Sequence, residues 1–345
     1  MNLLKSLNSR TANFALLFFV LNVNVCAMGN RQTEPEPVPQ APQFFINEAE
    51  KITFAGESPE PVLSEQSAAE PEQARPEITR AEQVMRALAA AYPRQIERAE
   101  FRNNDWAILM RGTWYYYAGG RILPEDLREN AADYSSQPFY SYPEELPVWR
   151  NPTPEEQERY RNTSNNRSAN PPRRSPHFFD DLWRAHDRNE AYERVKTLRF
   201  LGLSTMVHYL ILEELSLVEE HIFAAAKTDP QVQAWINSLS SLEGWSWRNI
   251  AETQSRSYHS YGLAIDLIPR SWGGRETYWL WTTRTRADWW NVSYNNRFHP
   301  PDAVIKAFEK FGFIWGGKWT LYDTMHFEYR PEILLLSGMA PEMSR

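Results

Sequence analysis

Apolar residues are spaced unevenly along the chain, and the spacing divides it. From Phe14 to Leu21 they run unbroken behind Lys5 and Arg10, and Val25-Cys26-Ala27 follows. A basic start, a short apolar stretch and a small residue at its end predict a secretory signal peptide over 1–27. The run is too short to span a bilayer, which takes ~20 apolar residues, and Asn22 and Asn24 break it. Cys26 as a lipid-carrying N-terminus is the alternative, because Leu21 to Cys26 loosely follows a lipoprotein box. Val25 is bulky where such boxes place a small residue.

Large apolar residues are then scarce up to residue 80. Residues 31–80 hold eight Pro and ten Glu. Such a stretch cannot bury enough surface to offset its ordering entropy, so 28–80 reads as a disordered Pro/Glu-rich linker. Thr79 and Glu82 form a capping-box pattern, and Val84, Leu88 and Ala91 follow at helical spacing up to Pro93. Trp106–Met110 and Thr113–Ala118 are β-prone runs around Arg111-Gly112, which predicts a hairpin. The Pro-, Asn- and Arg-rich stretch 147–176 reads as a long exposed loop. Residues 178–200 and 204–227, with Met206, Leu210, Leu217 and Ile222, read as helices. Near the end, Val304, Phe308 and Phe311 predict a helix that starts after Pro300-Pro301 and stops at Gly312. No internal repeat is present. The mixture predicts an α+β fold, with helices packed on a small antiparallel sheet. An extension, 81–190, of open role precedes a domain over 191–345.

Charge and composition narrow the chemistry. The 345 residues carry 44 acidic against 37 basic side chains, a formal charge of −7, with no long basic block. That argues against a nucleic-acid partner held by phosphate neutralisation. Fourteen Trp supply a sizeable core. The single cysteine excludes an internal disulfide framework and any thiolate zinc cluster, so a bound metal must be held by His and carboxylates.

Seven histidines are available. His208 and His221 lie in helical patterns with no second ligand four residues on, and no HExxH is present, so they read as structural. His177, His186 and His299 make no case. His259 and His326 do. Ser257-Tyr258-His259-Ser260-Tyr261-Gly262-Leu263-Ala264-Ile265-Asp266 places a His at a turn, then a Gly, then an acid inside an apolar strand. Burying Asp266 there is costly unless it pairs with an Arg or binds a cation. Asp323-Thr324-Met325-His326-Phe327-Glu328-Tyr329 again sets charged groups among apolar ones. Two His and one Asp are a sufficient set for a catalytic Zn²⁺ whose fourth position holds water, and Asp323 is spaced to reach that water.

Ser257, His259, Gly262, Ala264 and Asp266 fill every fixed position of S-x-H-x-x-G-x-A-x-D, and Asp323-x-x-His326 follows. These segments resemble the zinc D-alanyl-D-alanine carboxypeptidase and L-alanyl-D-glutamate endopeptidase family, the VanY-like cell-wall peptidases. Gly316-Gly317-Lys318-Trp319 resembles the G-G-x-W of many members, and Trp247-Arg248-Asn249-Ile250 the aromatic-Arg-x-Ile segment whose arginine contacts substrate. The resemblance covers about 240–332; the residues from 81 to about 190 resemble no family.

The resemblance implies a hedgehog/D-Ala-D-Ala peptidase-like fold. It makes His259, Asp266 and His326 the Zn²⁺ ligands, and Asp323 the general base with Glu328 as the next candidate. It makes Arg248 the group that steadies the substrate carbonyl, with Arg256 as the alternative, and adds Ser257 to the substrate contacts. The dipeptidase branch has Glu where this chain has Asp323, and other branches have Asp. The implied substrate is the stem peptide of peptidoglycan, which an exported, periplasmic or envelope-associated protein meets; the alternative lipid on Cys26 would be its only membrane tie. The leading activity is a D-Ala-D-Ala-type carboxypeptidase. The alternatives are an L-Ala-D-Glu-type endopeptidase and a catalytically silent wall-binding module. Frequent aromatics mostly serve packing, and Trp289, Trp290, Trp315 and Trp319 are the candidates for lining a cleft.

Overall fold

The computed structural model describes residues 79–167 and 169–343. The expected signal peptide, Cys26 and the linker up to residue 78 lie outside them. Thr79 Oγ1 accepts from the Glu82 amide at 3.2 Å and starts helix α1, Arg80–Ala91, whose buried face carries Val84, Met85 and Leu88. Next comes an antiparallel meander of β1 (Arg98–Arg102), β2 (Asp105–Met110), β3 (Thr113–Tyr116) and β4 (Leu123–Pro124). Met110 pairs with Thr113, and Arg111 and Gly112 turn the hairpin at φ +50° and +79°. Positive φ at both central residues gives the turn a twist that matches its strands.

Two expectations are corrected after this point. The stretch 147–176 contains a helix, α2 (Pro154–Asn166). Thr153 Oγ1 accepts from the Glu156 amide at 3.3 Å, and Glu156 Oε2 accepts from the Thr153 amide at 2.8 Å. Proline at the first helical position costs no hydrogen bond, so Pro154 opens this helix where proline content alone suggests a loop. The second correction concerns 178–227. Short helices α3 (His177–Trp183) and α4 (Arg188–Arg194) are followed by a hairpin, β5 (Val195–Phe200) and β6 (Leu203–His208). Leu201 and Gly202 turn it at φ +49° and +83°. Val195, Thr197, Thr205 and Val207 are β-branched, which suits a paired strand better than a helix. The apolar spacing across 195–208 imitates a helix; the pairing of Val195 with His208 decides against one.

Helices α5 (Leu212–Ala226) and α6 (Pro230–Ser238) lead into the second sheet. Its strands are β7 (Leu239–Glu243), β8 (Ala264–Pro269), β9 (Phe313–Trp315) and β10 (His326–Tyr329), in the antiparallel order β7-β8-β10-β9. The short helices α7 (Tyr258–Tyr261) and α8 (Trp279–Thr282), the amphipathic α9 (Asp302–Lys310) and α10 (Pro331–Leu336) complete an α+β fold. Val304 and Phe308 of α9 are buried, and the Phe308 ring stacks on Phe327 at 4.0 Å between centroids. Val84 and Leu88 of α1 belong to the same core as Leu263, Ile265 and Phe327, so residues before 190 are packed into the sheet that follows. A second cluster holds Tyr278, Trp279, Trp289, Trp290, Trp319 and Tyr322. The tryptophans named as cleft candidates are therefore packing residues: Trp289, Trp290, Trp315 and Trp319 are all buried.

Candidate metal centre

Local chemistry brings each residue to the centre. Ser257 caps the four-residue helix α7 by accepting from the His259 amide, which fixes the His259 backbone just ahead of β8. Gly262 ends that helix at φ +71°. A Cβ there would meet His208 N at 2.7 Å and Val195 Cγ1 at 2.8 Å, so only glycine lets the chain turn directly into β8. In β8, Asp266 lies opposite His326 on one side and opposite Glu243 on the other. Directly opposed residues in an antiparallel pair hold their Cβ atoms ~5 Å apart, close enough for two side chains to share one ion. Asp323 enters from the loop before β10, where its amide donates to the Gly316 carbonyl at 3.0 Å. A Cβ on Gly316 would meet the Asp323 carbonyl at 2.5 Å, which explains that glycine.

His259, Asp266 and His326 each offer one ligand atom, all within 4.8 Å of one another. His259 Nδ1 donates to the Gly244 carbonyl at 2.6 Å, which leaves the Nε2 lone pair facing Asp266 Oδ1 at 3.3 Å. His326 Nε2 donates to Glu328 Oε2 at 3.1 Å, which turns Nδ1 toward Asp266 Oδ1 at 2.9 Å and His259 Nε2 at 3.2 Å. Each imidazole is thus held through one nitrogen by a carbonyl or carboxylate and turns its other nitrogen toward Asp266, the arrangement in which protein histidines bind metals.

The charges agree with that geometry. All three candidate ligand residues are at most 3% exposed. Burial opposes charge on Asp266, but His259 and His326 beside it hold the carboxyl well below its usual range. Burial lowers His326, yet its hydrogen bonds to Asp266 and Glu328 push it up to about 10. Burial holds His259 below its usual value against the pull of Asp266. The centre therefore favours a cation where the three atoms converge, either a proton or a metal ion. Two imidazoles and one carboxylate are a donor set that suits Zn²⁺. Asp323 differs. Burial, reinforced by the Asp266 charge, raises it to about 8, and its Oδ1 has no hydrogen-bond partner.

The other expected residues separate cleanly. Arg256 Nη1 is committed to the framework, donating to Asp180 Oδ1 at 2.5 Å and to the Ala185 carbonyl at 2.8 Å, with the guanidinium over the Trp247 ring. Arg248 has its backbone pinned by Ser260 Oγ, and its charge acts on Asp323 and His259. Ser257 is buried as the cap of α7. Glu328 is the partner of His326 and is also bonded to Arg330, so it is not free to act as a base. That role was legible from spacing, since residues two apart on a strand share a face. His208 is structural but ends β6; its Nε2 donates to the Trp183 carbonyl and its Nδ1 accepts from the Leu210 amide.

Residues 251–329 match a family described as D-alanyl-D-alanine carboxypeptidase, a span that contains His259, Asp266, His326 and Asp323. Residues 84–139 match a family described as a domain of unknown function. No curated protein and no solved structure matches the chain.

Proposed function

From a segment that matches the D-alanyl-D-alanine carboxypeptidase family, we propose that this protein is a zinc-dependent peptidase of the cell envelope that removes the terminal residue of D-Ala-D-Ala-type peptidoglycan stem peptides. The observation that carries the reading is the buried His259-Asp266-His326 cluster with Asp323 beside it. Zn²⁺ held there would act as a Lewis acid and lower the pKa of its bound water toward ~7. Asp323 Oδ1 is the free buried acceptor that takes the proton of the attacking water and returns it to the leaving amine. A carboxyl poised near neutrality suits both halves of that transfer. Arg248 supplies positive charge toward the substrate carbonyl as it becomes an oxyanion. No side-chain nucleophile and no covalent intermediate are required. The signal-peptide pattern of residues 1–27 supports the reading, because peptidoglycan lies outside the cytoplasm.

Mass spectrometry of muropeptides after digestion tests the proposal. Loss of one terminal alanine, abolished by chelation and restored by Zn²⁺, is the expected result. New amino termini within the stem would show the endopeptidase instead. Unaltered muropeptides with Zn²⁺ bound would leave a wall-binding module.

A further inference from the structure

Glu328, which holds His326, is itself held from outside the peptidase match. Arg330 is fully buried and spends its guanidinium on three partners. Its Nη1 donates to Glu328 Oε1 at 3.3 Å, its Nε donates to Glu332, and its Nη2 donates to the Pro138 carbonyl at 3.3 Å. Glu332 Oε2 in turn accepts from the Tyr92 hydroxyl at 2.6 Å. Every side chain on this path, from Tyr92 through Glu332, Arg330 and Glu328 to His326, is buried. Tyr92 caps α1, and Pro138 closes the segment that matches a domain of unknown function.

We infer that this segment is a working part of the metal centre: Tyr92 and Pro138 are positioning residues that fix the ring of His326 through Arg330 and its two glutamates. A buried guanidinium must satisfy its N–H groups within the protein, and two carboxylates around one arginine leave a net negative charge that needs a further donor. Tyr92 is that donor. Without its hydroxyl, Glu332 has a buried oxygen to satisfy and competes harder for Arg330, which weakens the grip on Glu328. Partners that orient a metal-binding histidine govern both its aim and its basicity. A second tie comes from the residues that follow. Tyr142 accepts from the Trp315 amide at 3.0 Å and donates to Glu309, which anchors β9 beside β10.

The inference rests on the proposed metal site and is tested on the full chain by Zn²⁺ affinity, from competition with a chromophoric chelator, and by the Co²⁺ absorption spectrum. Glu328→Gln should weaken binding ~10–100-fold and Tyr92→Phe ~3–10-fold, with shifted Co²⁺ bands in both. The double variant should be little worse than Glu328→Gln alone, because both changes act through one carboxylate. Tyr115→Phe loses a comparable bond, to Asp181 in α3, yet lies off the path and should bind like wild type. Should Tyr92→Phe fail to fold, Glu332→Gln alters the charge facing Arg330 and reads the same path. Wild-type affinity and spectrum in Tyr92→Phe, or losses that simply multiply in the double variant, overturn the inference alone. A wild-type chain that takes up no Zn²⁺ overturns it together with the proposed function.

Discussion

Asp266 and Asp323 have the same side chain in one buried centre, and their surroundings give them opposite tasks. Asp266 sits between two imidazoles that favour its charge, whereas burial and Asp266 itself raise Asp323. Asp323→Asn keeps size but cannot accept a proton, so metal content should persist while peptide hydrolysis falls by ~10²–10⁴. Asp266→Asn should lose metal, because a neutral amide is a poor ligand for Zn²⁺. Metal analysis beside kinetics separates the two; equal metal loss in both variants would make Asp323 a ligand. Gly262 is the other decisive single residue. Gly262→Ala puts a Cβ against His208 N in backbone with φ +71° and should cost about 1–3 kcal/mol, read as a lower urea midpoint.

Among the elements, the β5-β6 hairpin carries the clearest pH signature. His208 closes it opposite Val195, and its amide donates to the Gly262 carbonyl at 2.8 Å. Burial lowers its pKa to about 4. The unfolded chain takes up a proton below about 6.5, and the folded one does so only near 4. Stability is therefore fully present at neutral pH and is lost as pH falls through that window, by about 2 kcal/mol between pH 7 and 5. His208→Gln can keep one donor and one acceptor without titrating, so its urea midpoint should fall less over the same interval. Equal slopes for variant and wild type would assign the acid sensitivity to other groups.

For the whole molecule, the shared core sets what can be cut away. Val84, Met85 and Leu88 of α1 and Phe178 and Leu182 of α3 are fully buried in the core that also holds Leu263 and Phe327. Exposing such side chains costs ~1.5–3 kcal/mol each, comparable in sum with a domain's entire stability of ~5–15 kcal/mol. A 191–345 fragment should consequently lack a cooperative melt and dispersed amide resonances, whereas 79–343 should show both. A well-dispersed spectrum from the shorter fragment would show that the sheet stands without α1 and α3.

What the sequence determined by itself was local. The cap at Thr79, the turn at Arg111-Gly112 and the stop at Gly312 are short-range chemistry, and each is where its residues predict. Spacing around His259, Asp266 and His326 singled out the candidate ligands, because a charged group in an apolar run needs a partner wherever the chain goes. Tertiary structure decided the rest. Residues 195–208 pair as strands because Val195 meets His208 across a turn that apolar spacing alone does not distinguish from a helix break. Arg256 is committed because Asp180, distant in sequence, lies beside it, whereas the charge of Arg248 acts on Asp323. The path from Tyr92 to Glu332 joins residues 240 positions apart. Periodicity records which face of an element is buried; only the packed chain determines which distant side chains share that interior.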